Sequence, residues 1–158
     1  MKKIMLALIL TFIGFGFAQS NIYAGGSLGV GAFSALGFTG GAVFPITGHI
    51  GFKEVFSRDT EARIDLKFLL GGGTGFEIGA NTLYNFSVVP DLPLIVYAGG
   101  GLKVIIAGGS FLPGGGVITG VDYYLNEQLS LFVEGRFDTY FPGFLTQFGI
   151  GVGAKFHF

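Results

Sequence analysis

The side chains best suited to acid–base chemistry in this sequence are its two histidines, His49 and His157. A hydrolytic triad would need a serine and a carboxylate beside one of them, and neither histidine has both at the spacing of a triad. A lone histidine on the polar face of a strand is more often hydrogen-bonded than catalytic. We therefore expect no catalytic residue and no enzyme activity.

Ion pairing is the second chemistry that the sequence offers, because charged side chains alternate with apolar ones. Alternation with a period of two gives a β-strand one polar face and one apolar face. Residues 61 to 70 show the pattern most clearly, with charges at the odd positions from Glu61 to Lys67 and apolar side chains at the even positions from Ala62 to Leu70. A slip of one residue would exchange the faces, so the register is firmly specified.

The same alternation recurs in seven further segments between turn signals. The eight predicted strands lie near 21 to 33, 43 to 56, 61 to 70, 76 to 88, 93 to 106, 116 to 124, 129 to 138 and 145 to 158. The fold class that this pattern predicts is all-β, an eight-stranded antiparallel up-and-down transmembrane β-barrel with its apolar face toward lipid. A soluble lipocalin-like barrel, with the apolar face inward and the charges outward, is the alternative.

The first residues are typical of a cleavable signal peptide. Lys2 and Lys3 precede an apolar run of about 14 residues that ends in small residues at positions 16 and 18. This run is shorter than the roughly 18 to 20 residues that a membrane-spanning helix needs. We expect a signal peptide over 1–18 and the barrel over 19–158.

The composition excludes several classes of ligand and partner. The chain is 50% hydrophobic and 12% charged, without cysteine. The lack of cysteine excludes thiolate metal sites and a lipid-modified N-terminal cysteine. No basic stripe is present, so we expect no nucleic acid partner. We also expect no cofactor and no metal site.

The polar parity of the predicted strands carries charges of both signs, which the narrow lumen of an eight-stranded barrel would have to pair. The predicted lumen ionic network consists of Lys53, Arg63, Asp65, Lys67, Glu77, Lys103, Asp122, Glu134, Arg136, Asp138 and Lys155. Strand pairing is expected to bring Lys53 toward Asp65 and Lys67 toward Glu77. The predicted result is a plug of salt bridges.

Glycine supports an alternative in which part of the lumen is open. Eight glycines take the inward parity of the first, fifth and eighth segments: Gly25, Gly29, Gly31, Gly99, Gly101, Gly149, Gly151 and Gly153. They would leave a void for water, ions or a slim ligand, unless long side chains from other strands cross and fill it.

The connections suggest how the barrel is oriented. Short polar turns are expected at 57–60, 90–91 and 126–128, and longer glycine-rich loops at 34–41, 71–75, 108–115 and 139–144. Such a pattern places both chain ends on the periplasmic side. Pro45 cannot donate to a ladder, so it should mark the start or a bulge of the second strand. Glu54 falls on the apolar parity and should lie at the rim.

The last segment ends in Phe158, with Phe156, Ala154, Val152 and Ile150 at every second position before it. Together with the signal and the eight alternating strands, this ending resembles the small outer-membrane barrels of the OmpA transmembrane domain, OmpX and OmpW type. The resemblance implies that these five residues form the signal read by the barrel-assembly machinery during insertion.

Tryptophan is absent, so an interfacial aromatic girdle would have to come from phenylalanines and tyrosines. The tyrosines expected in the girdle are Tyr23, Tyr84, Tyr97, Tyr123 and Tyr140.

The expected function is a structural, envelope-integrity role in the outer membrane of a didermic bacterium, with outer-membrane lipid as the partner of the apolar wall. The alternative is a narrow pore or a conduit for a small hydrophobic ligand through the glycine-lined lumen. The sequence predicts no oligomeric state.

Overall fold

The computed structural model describes residues 21–35, 38–71, 74–87, 92–142 and 145–158, so the predicted signal peptide lies outside the described residues. Eight strands follow one another along the chain: β1 Ile22–Ala35, β2 Phe38–Lys53, β3 Thr60–Leu70, β4 Gly75–Ser87, β5 Leu94–Ala107, β6 Ser110–Tyr124, β7 Leu129–Tyr140 and β8 Leu145–His157. Each strand pairs antiparallel with the next, and β8 pairs with β1 to close the barrel. The predicted eight-stranded up-and-down barrel is confirmed. No helix in the described part of the chain is long and apolar enough to cross a membrane.

The two faces of the wall are as predicted. On β3, Ile64 and Phe68 are each 51% exposed on the outside, whereas Arg63 and Asp65 are 1% and 0% exposed and face the lumen. Burial alternates along the rest of this strand in the same way. The inverted arrangement of a soluble lipocalin-like barrel is therefore wrong for this chain.

Two strands begin earlier than the sequence predicts. β2 starts at Phe38 and β6 at Ser110, instead of near 43 and 116. The reason at β6 is a two-residue turn in which Gly108 and Gly109 have φ of 56° and 79°. Two consecutive positive φ angles are what a tight hairpin needs to match the twist of its strands, and glycine adopts them without strain. The predicted loop over 108–115 is wrong, because most of it is strand.

The predicted contrast between short turns and long loops is also wrong. Residues 36–37, 71–74, 108–109 and 141–144 connect strands at one end of the barrel, which we call the loop end. Residues 54–59, 88–93 and 125–128 connect strands at the other end, which also holds Asn21 and Phe158 and which we call the terminal end. The connections at the terminal end are as long as those at the loop end, or longer.

Glu54 leaves β2 and enters the 54–59 turn, with φ of 60° and an exposed side chain, so it lies at the rim as predicted. Pro45 differs from its prediction, because it lies inside β2 and pairs with Leu69 of β3. On its other side the pairs with β1 pass from Leu28–Ile46 to Gly31–Val43 without a pair at Pro45. The ladder tolerates proline where it requires no N–H donor.

A matched pair of glycine substitutions tests how tightly this wall is built. A Cβ at Gly101 would lie against the Ala80 carbonyl oxygen and 2.7 Å from Asn81 Cα, both backbone atoms. A Cβ at Gly151 would meet nothing closer than Ser27 Oγ at 3.5 Å. We expect Gly101→Ala to lower the free energy of unfolding by about 1 to 3 kcal/mol. We expect Gly151→Ala to change it by about 0.5 kcal/mol or less.

Urea titration of both variants in lipid vesicles measures this difference. The entropy that alanine removes from the unfolded chain is common to both variants and cancels in the comparison. Equal stabilities would contradict the close approach of β4 to Gly101.

Candidate functional site

The lumen is the candidate functional site, because all the charged residues of the described strands face it. Six are cationic and six are anionic, so their formal charges cancel. The cations are Lys53, Arg63, Lys67, Lys103, Arg136 and Lys155, and the anions are Glu61, Asp65, Glu77, Asp122, Glu134 and Asp138.

Nearest the loop end, two lysines share two carboxylates. Lys67 Nζ lies 2.8 Å from Glu77 Oε1 and 3.2 Å from Asp138 Oδ2. Lys103 forms an ion pair with the other oxygen of Asp138. Lys67 and Glu77 are direct partners across β3 and β4, as predicted from strand pairing. Asp138 therefore joins two lysines from different strands.

The centre of the lumen holds two arginines and two carboxylates. Arg63 Nε lies 3.0 Å from Asp65 Oδ1, and Arg63 Nη1 lies 2.8 Å from Glu134 Oε2. Arg136 Nη1 lies 2.8 Å from Asp65 Oδ2, and its Nε pairs with Glu134. Asn81 Nδ2 donates to Asp65 at 2.8 Å. Each carboxylate thus contacts both arginines, and strands β3 and β7 are tied together across the barrel.

Toward the terminal end, Lys155 Nζ pairs with Asp122 Oδ2 at 2.7 Å. The same ammonium lies 5.0, 4.5 and 5.2 Å from the ring centroids of Tyr23, Tyr97 and Phe132. A cation over aromatic rings is stabilised by their electron-rich faces, so Lys155 is held by both its carboxylate and these rings.

One predicted pair is wrong. Lys53 does not meet Asp65, because the register of β2 and β3 places Lys53 opposite Glu61 and His49 opposite Asp65. Lys53 Nζ contacts Tyr124 OH across the lumen instead, at 3.0 Å. The other ten residues of the predicted network take part in ion pairs. Their contribution to function stays a prediction.

The predicted tyrosine girdle is correct for two of its five tyrosines and wrong for the other three. Tyr84 and Tyr123 are exposed on the outer wall, but Tyr23, Tyr97 and Tyr140 are buried in the lumen. Their hydroxyl groups donate to glutamates: Tyr23 to Glu61, Tyr97 to Glu134 at 3.0 Å and Tyr140 to Glu77. Strand parity could have predicted this, because Tyr97 and Tyr140 share the parity of the inward charges of their strands and Tyr23 shares the parity of the inward glycines of β1. Glu61, which accepts the hydrogen bond of Tyr23, is also buried in the lumen and is absent from the predicted ionic network.

The two histidines lie inside the barrel, and neither forms a hydrogen bond with a carboxylate of the described residues. His49 is buried against the rings of Tyr23 and Phe132, with centroid distances of 5.7 and 5.3 Å. Neither of its ring nitrogens has a hydrogen-bond partner among the described residues. His157 Nε2 lies 2.9 Å from Ser130 Oγ, but Ser130 is 0% exposed.

Most of the inward glycines are covered by other groups. A Cβ at Gly25 would collide with the His49 ring, and one at Gly153 would lie 2.7 Å from Phe132 Cζ. Between Gly29, Gly149 and Gly151 a cavity of about 20 Å³ remains. This volume holds about one water molecule. Long side chains therefore fill most of the space that glycine leaves.

The loop end opens into an apolar cup of about 550 Å³, lined by residues that include Phe33, Leu145 and Ala107. Leu69, Ile105 and Tyr140 form a buried cluster beneath it. Leu69 and Ile105 also line the cup, so this cluster is its floor and separates it from the ion pairs.

The predicted assembly signal lies on the outer wall of β8. Ile150, Val152, Phe156 and Phe158 are exposed, and Ala154 is half-buried on the same parity. Recognition of these residues by the assembly machinery stays a prediction.

No protein-family model matches the chain, and no curated protein sequence matches it. Solved structures do match. Neisserial surface protein A is 20% identical with a TM-score of 0.76, over 87% of this chain and 97% of that one. The N-terminal β-barrel domain of Pseudomonas aeruginosa OprF is 16% identical with a TM-score of 0.58, over 84% and 97%. Ail of Yersinia pestis, the attachment invasion locus protein, is 8% identical with a TM-score of 0.58, over 89% and 100%.

These neighbours and the apolar outer wall support the predicted location in the bacterial outer membrane. The fold of this chain is that of the small eight-stranded outer-membrane β-barrel proteins.

Proposed function

We propose that this protein is an integral outer-membrane barrel with a structural, envelope-integrity role and a closed lumen. The observation that carries the proposal is the plug of ion pairs that links β3 and β5 to β7 across the axis. Buried ions that are paired and hydrogen-bonded hold their side chains in place, because separating them leaves uncompensated charge in a medium of low dielectric constant. Outer-membrane lipid is the proposed partner of the apolar wall, and the barrel-assembly machinery that of the last strand.

We also propose that the protein is not an enzyme. The Ser130–His157 pair supports this, since the serine is buried and His157 Nδ1 has no hydrogen-bond partner among the described residues. A nucleophile needs both an oriented base and access to its substrate.

The second candidate is a narrow pore or a conduit for a small hydrophobic ligand, and the cup at the loop end favours the conduit. A volume of about 550 Å³ with apolar lining is of the size that holds small molecules. Its floor of Leu69, Ile105 and Tyr140 would have to move, and the ion pairs beneath would have to separate, before a ligand could pass. The cup therefore supports binding at the loop end better than passage through the barrel.

Planar-bilayer recording and liposome swelling with the purified full chain separate the two candidates. We expect no current and no swelling above those of lipid alone, since the cavity beside the central ion pairs holds about one water molecule. Discrete openings that increase with the amount of protein would contradict a closed lumen. If openings occur and Arg136→Ala changes their size, the current passes through the lumen and the protein is a narrow pore.

A further inference from the structure

A second cup opens at the terminal end of the barrel and has a volume of about 150 Å³. We call it the terminal-end cup. Its charged lining residues are Lys53, Arg58, Glu54, Asp59, Glu61 and Asp122. Four carboxylates face two cationic groups, which gives the lining a formal excess of two negative charges. This site plays no part in the closed-lumen proposal.

One of these carboxylates is incompletely satisfied. Asp122 is 4% exposed, and its Oδ2 accepts from Lys155 at 2.7 Å. Its other oxygen, Oδ1, is buried and has no hydrogen-bond partner among the described residues. A buried carboxylate oxygen without a donor is costly, so this position calls for a donor that enters from the cup.

The cations of the cup do not supply that donor. Lys53 Nζ contacts Tyr124 OH at 3.0 Å and lies 5.2 Å from the ring centroid. No ion pair of Lys53 or Arg58 with a carboxylate is present in the described part of the chain. Arg58 is exposed in the 54–59 turn. With Lys155 counted as the partner of Asp122, one formal negative charge of the cup remains for an external cation.

The arrangement of the acids selects the kind of cation. Glu61 and Asp122 are buried at the base of the cup, whereas Glu54 and Asp59 are exposed at its mouth. No group of three acidic or histidine side chains in the described residues converges so that it could hold a metal ion. Acids at two depths suit an elongated ligand with a donor at each end. A volume of about 150 Å³ is several times what one water molecule needs, so the cup has room for a small organic molecule.

We propose that the terminal-end cup binds a small organic dication of the primary diamine class. One ammonium group donates to Asp122 Oδ1 at the base, and the other lies near Glu54 and Asp59 at the mouth. Charge-assisted hydrogen bonds of this kind are stronger than neutral ones, and a buried carboxylate strengthens them further.

Isothermal titration calorimetry of the folded full chain in detergent at low salt tests the proposal, with 1,4-diaminobutane as the probe. We expect saturable binding of the diamine. We expect no binding of 1,4-butanediol, which has the same length and no charge. Binding of the diol as strongly as the diamine would show that charge does not select the ligand, and the absence of saturable heat with the diamine would show that the cup takes no diamine. Either result would overturn the proposal.

Variants locate the binding. Asp122→Asn is expected to weaken diamine binding about tenfold or more, the effect of losing one charge-assisted hydrogen bond. The exposed pair Glu54→Gln/Asp59→Asn is expected to weaken it by about threefold to tenfold, since these side chains contact the ligand in water. Glu127→Gln is the matched control, because Glu127 is an exposed acid at the same end of the barrel outside the cup.

Equal affinity in all variants would show adsorption elsewhere and overturn the proposal. Heat-modifiable migration on a gel establishes that each variant is folded. If Asp122→Asn does not fold, the exposed pair and its control decide the outcome, because neither of these variants removes a buried ion pair.

Discussion

Asp138→Ala is expected to lower the free energy of unfolding by about 3 to 5 kcal/mol, the cost of leaving a buried ion without its partner. Asp138 is the ion-pair partner of Lys103, which is 2% exposed and has no other ion pair in the described residues. Lys67 loses one of two contacts and keeps Glu77 at 2.8 Å. The stranded Lys103 ammonium is therefore the main source of the loss.

The reverse substitution is expected to be milder. Lys103→Met leaves Asp138 paired with Lys67 at 3.2 Å and replaces the lysine by an apolar chain of similar length. The double variant Lys103→Met/Asp138→Leu removes both charges, and apolar replacements of a buried pair are often neutral. We expect the double variant to be more stable than Asp138→Ala alone.

Urea titration of the three variants in lipid vesicles, followed by far-UV circular dichroism, measures these differences. Glu127→Ala is the control, because Glu127 is exposed in the 125–128 turn. If Asp138→Ala and Lys103→Met lower the free energy of unfolding by the same amount, Lys103 does not depend on Asp138 more than Asp138 depends on Lys103, and the prediction is wrong.

Ile64→Arg is expected to destabilise the barrel by about 2 to 4 kcal/mol, the cost of an arginine on the lipid face near the bilayer midplane. Ile64 is 51% exposed near the middle of β3, with buried charges on both sides of it in sequence. Near the interface the same substitution costs only about 0 to 1 kcal/mol. Val55, exposed in the 54–59 turn, is the matched control position.

The comparison of Ile64→Arg with Val55→Arg, by urea titration in vesicles, also tests whether the wall contacts lipid. A barrel surrounded by water would accept arginine at Ile64 as easily as at Val55. Equal stability of the two variants would therefore contradict the membrane assignment, even though the fold remained the same.

The faces of the wall were predictable from sequence because a strand has a period of two, and one charged residue fixes the parity of its neighbours. Arg63 and Asp65 did this for β3, and Lys103 did it for β5. The same parity rule places Tyr97 in the lumen, where it is buried. The preference of tyrosine for membrane interfaces predicts the outer wall instead, and this prediction is wrong for Tyr97. Parity was the more reliable signal, because the pleat determines it.

Connections and cross-barrel contacts were harder to predict. A run of glycine fits a loop, a tight turn and a strand alike, so Gly108–Gly109 could not be located before its φ angles were known. Register across a turn depends on the length of that turn. The six residues from 54 to 59 place Lys53 beside Glu61, so the expected contact with Asp65 fails. Pairs such as Arg63 with Glu134 connect strands that are not neighbours, and periodicity contains no information about them.

The seam between β1 and β8 joins the two most distant parts of the folded chain, from Tyr23 with His157 to Ser34 with Thr146. We expect the pairing of β1 with β8 to form late in folding, because the loss of chain entropy on closing so large a loop precedes the contacts that compensate for it. Before closure the sheet has two edge strands, β1 and either β7 or β8, whose unpaired backbone groups can pair with another chain. A ribosome-stalled or clipped product that lacks the final strand would keep both edges, and we expect it to aggregate rather than persist as a smaller barrel.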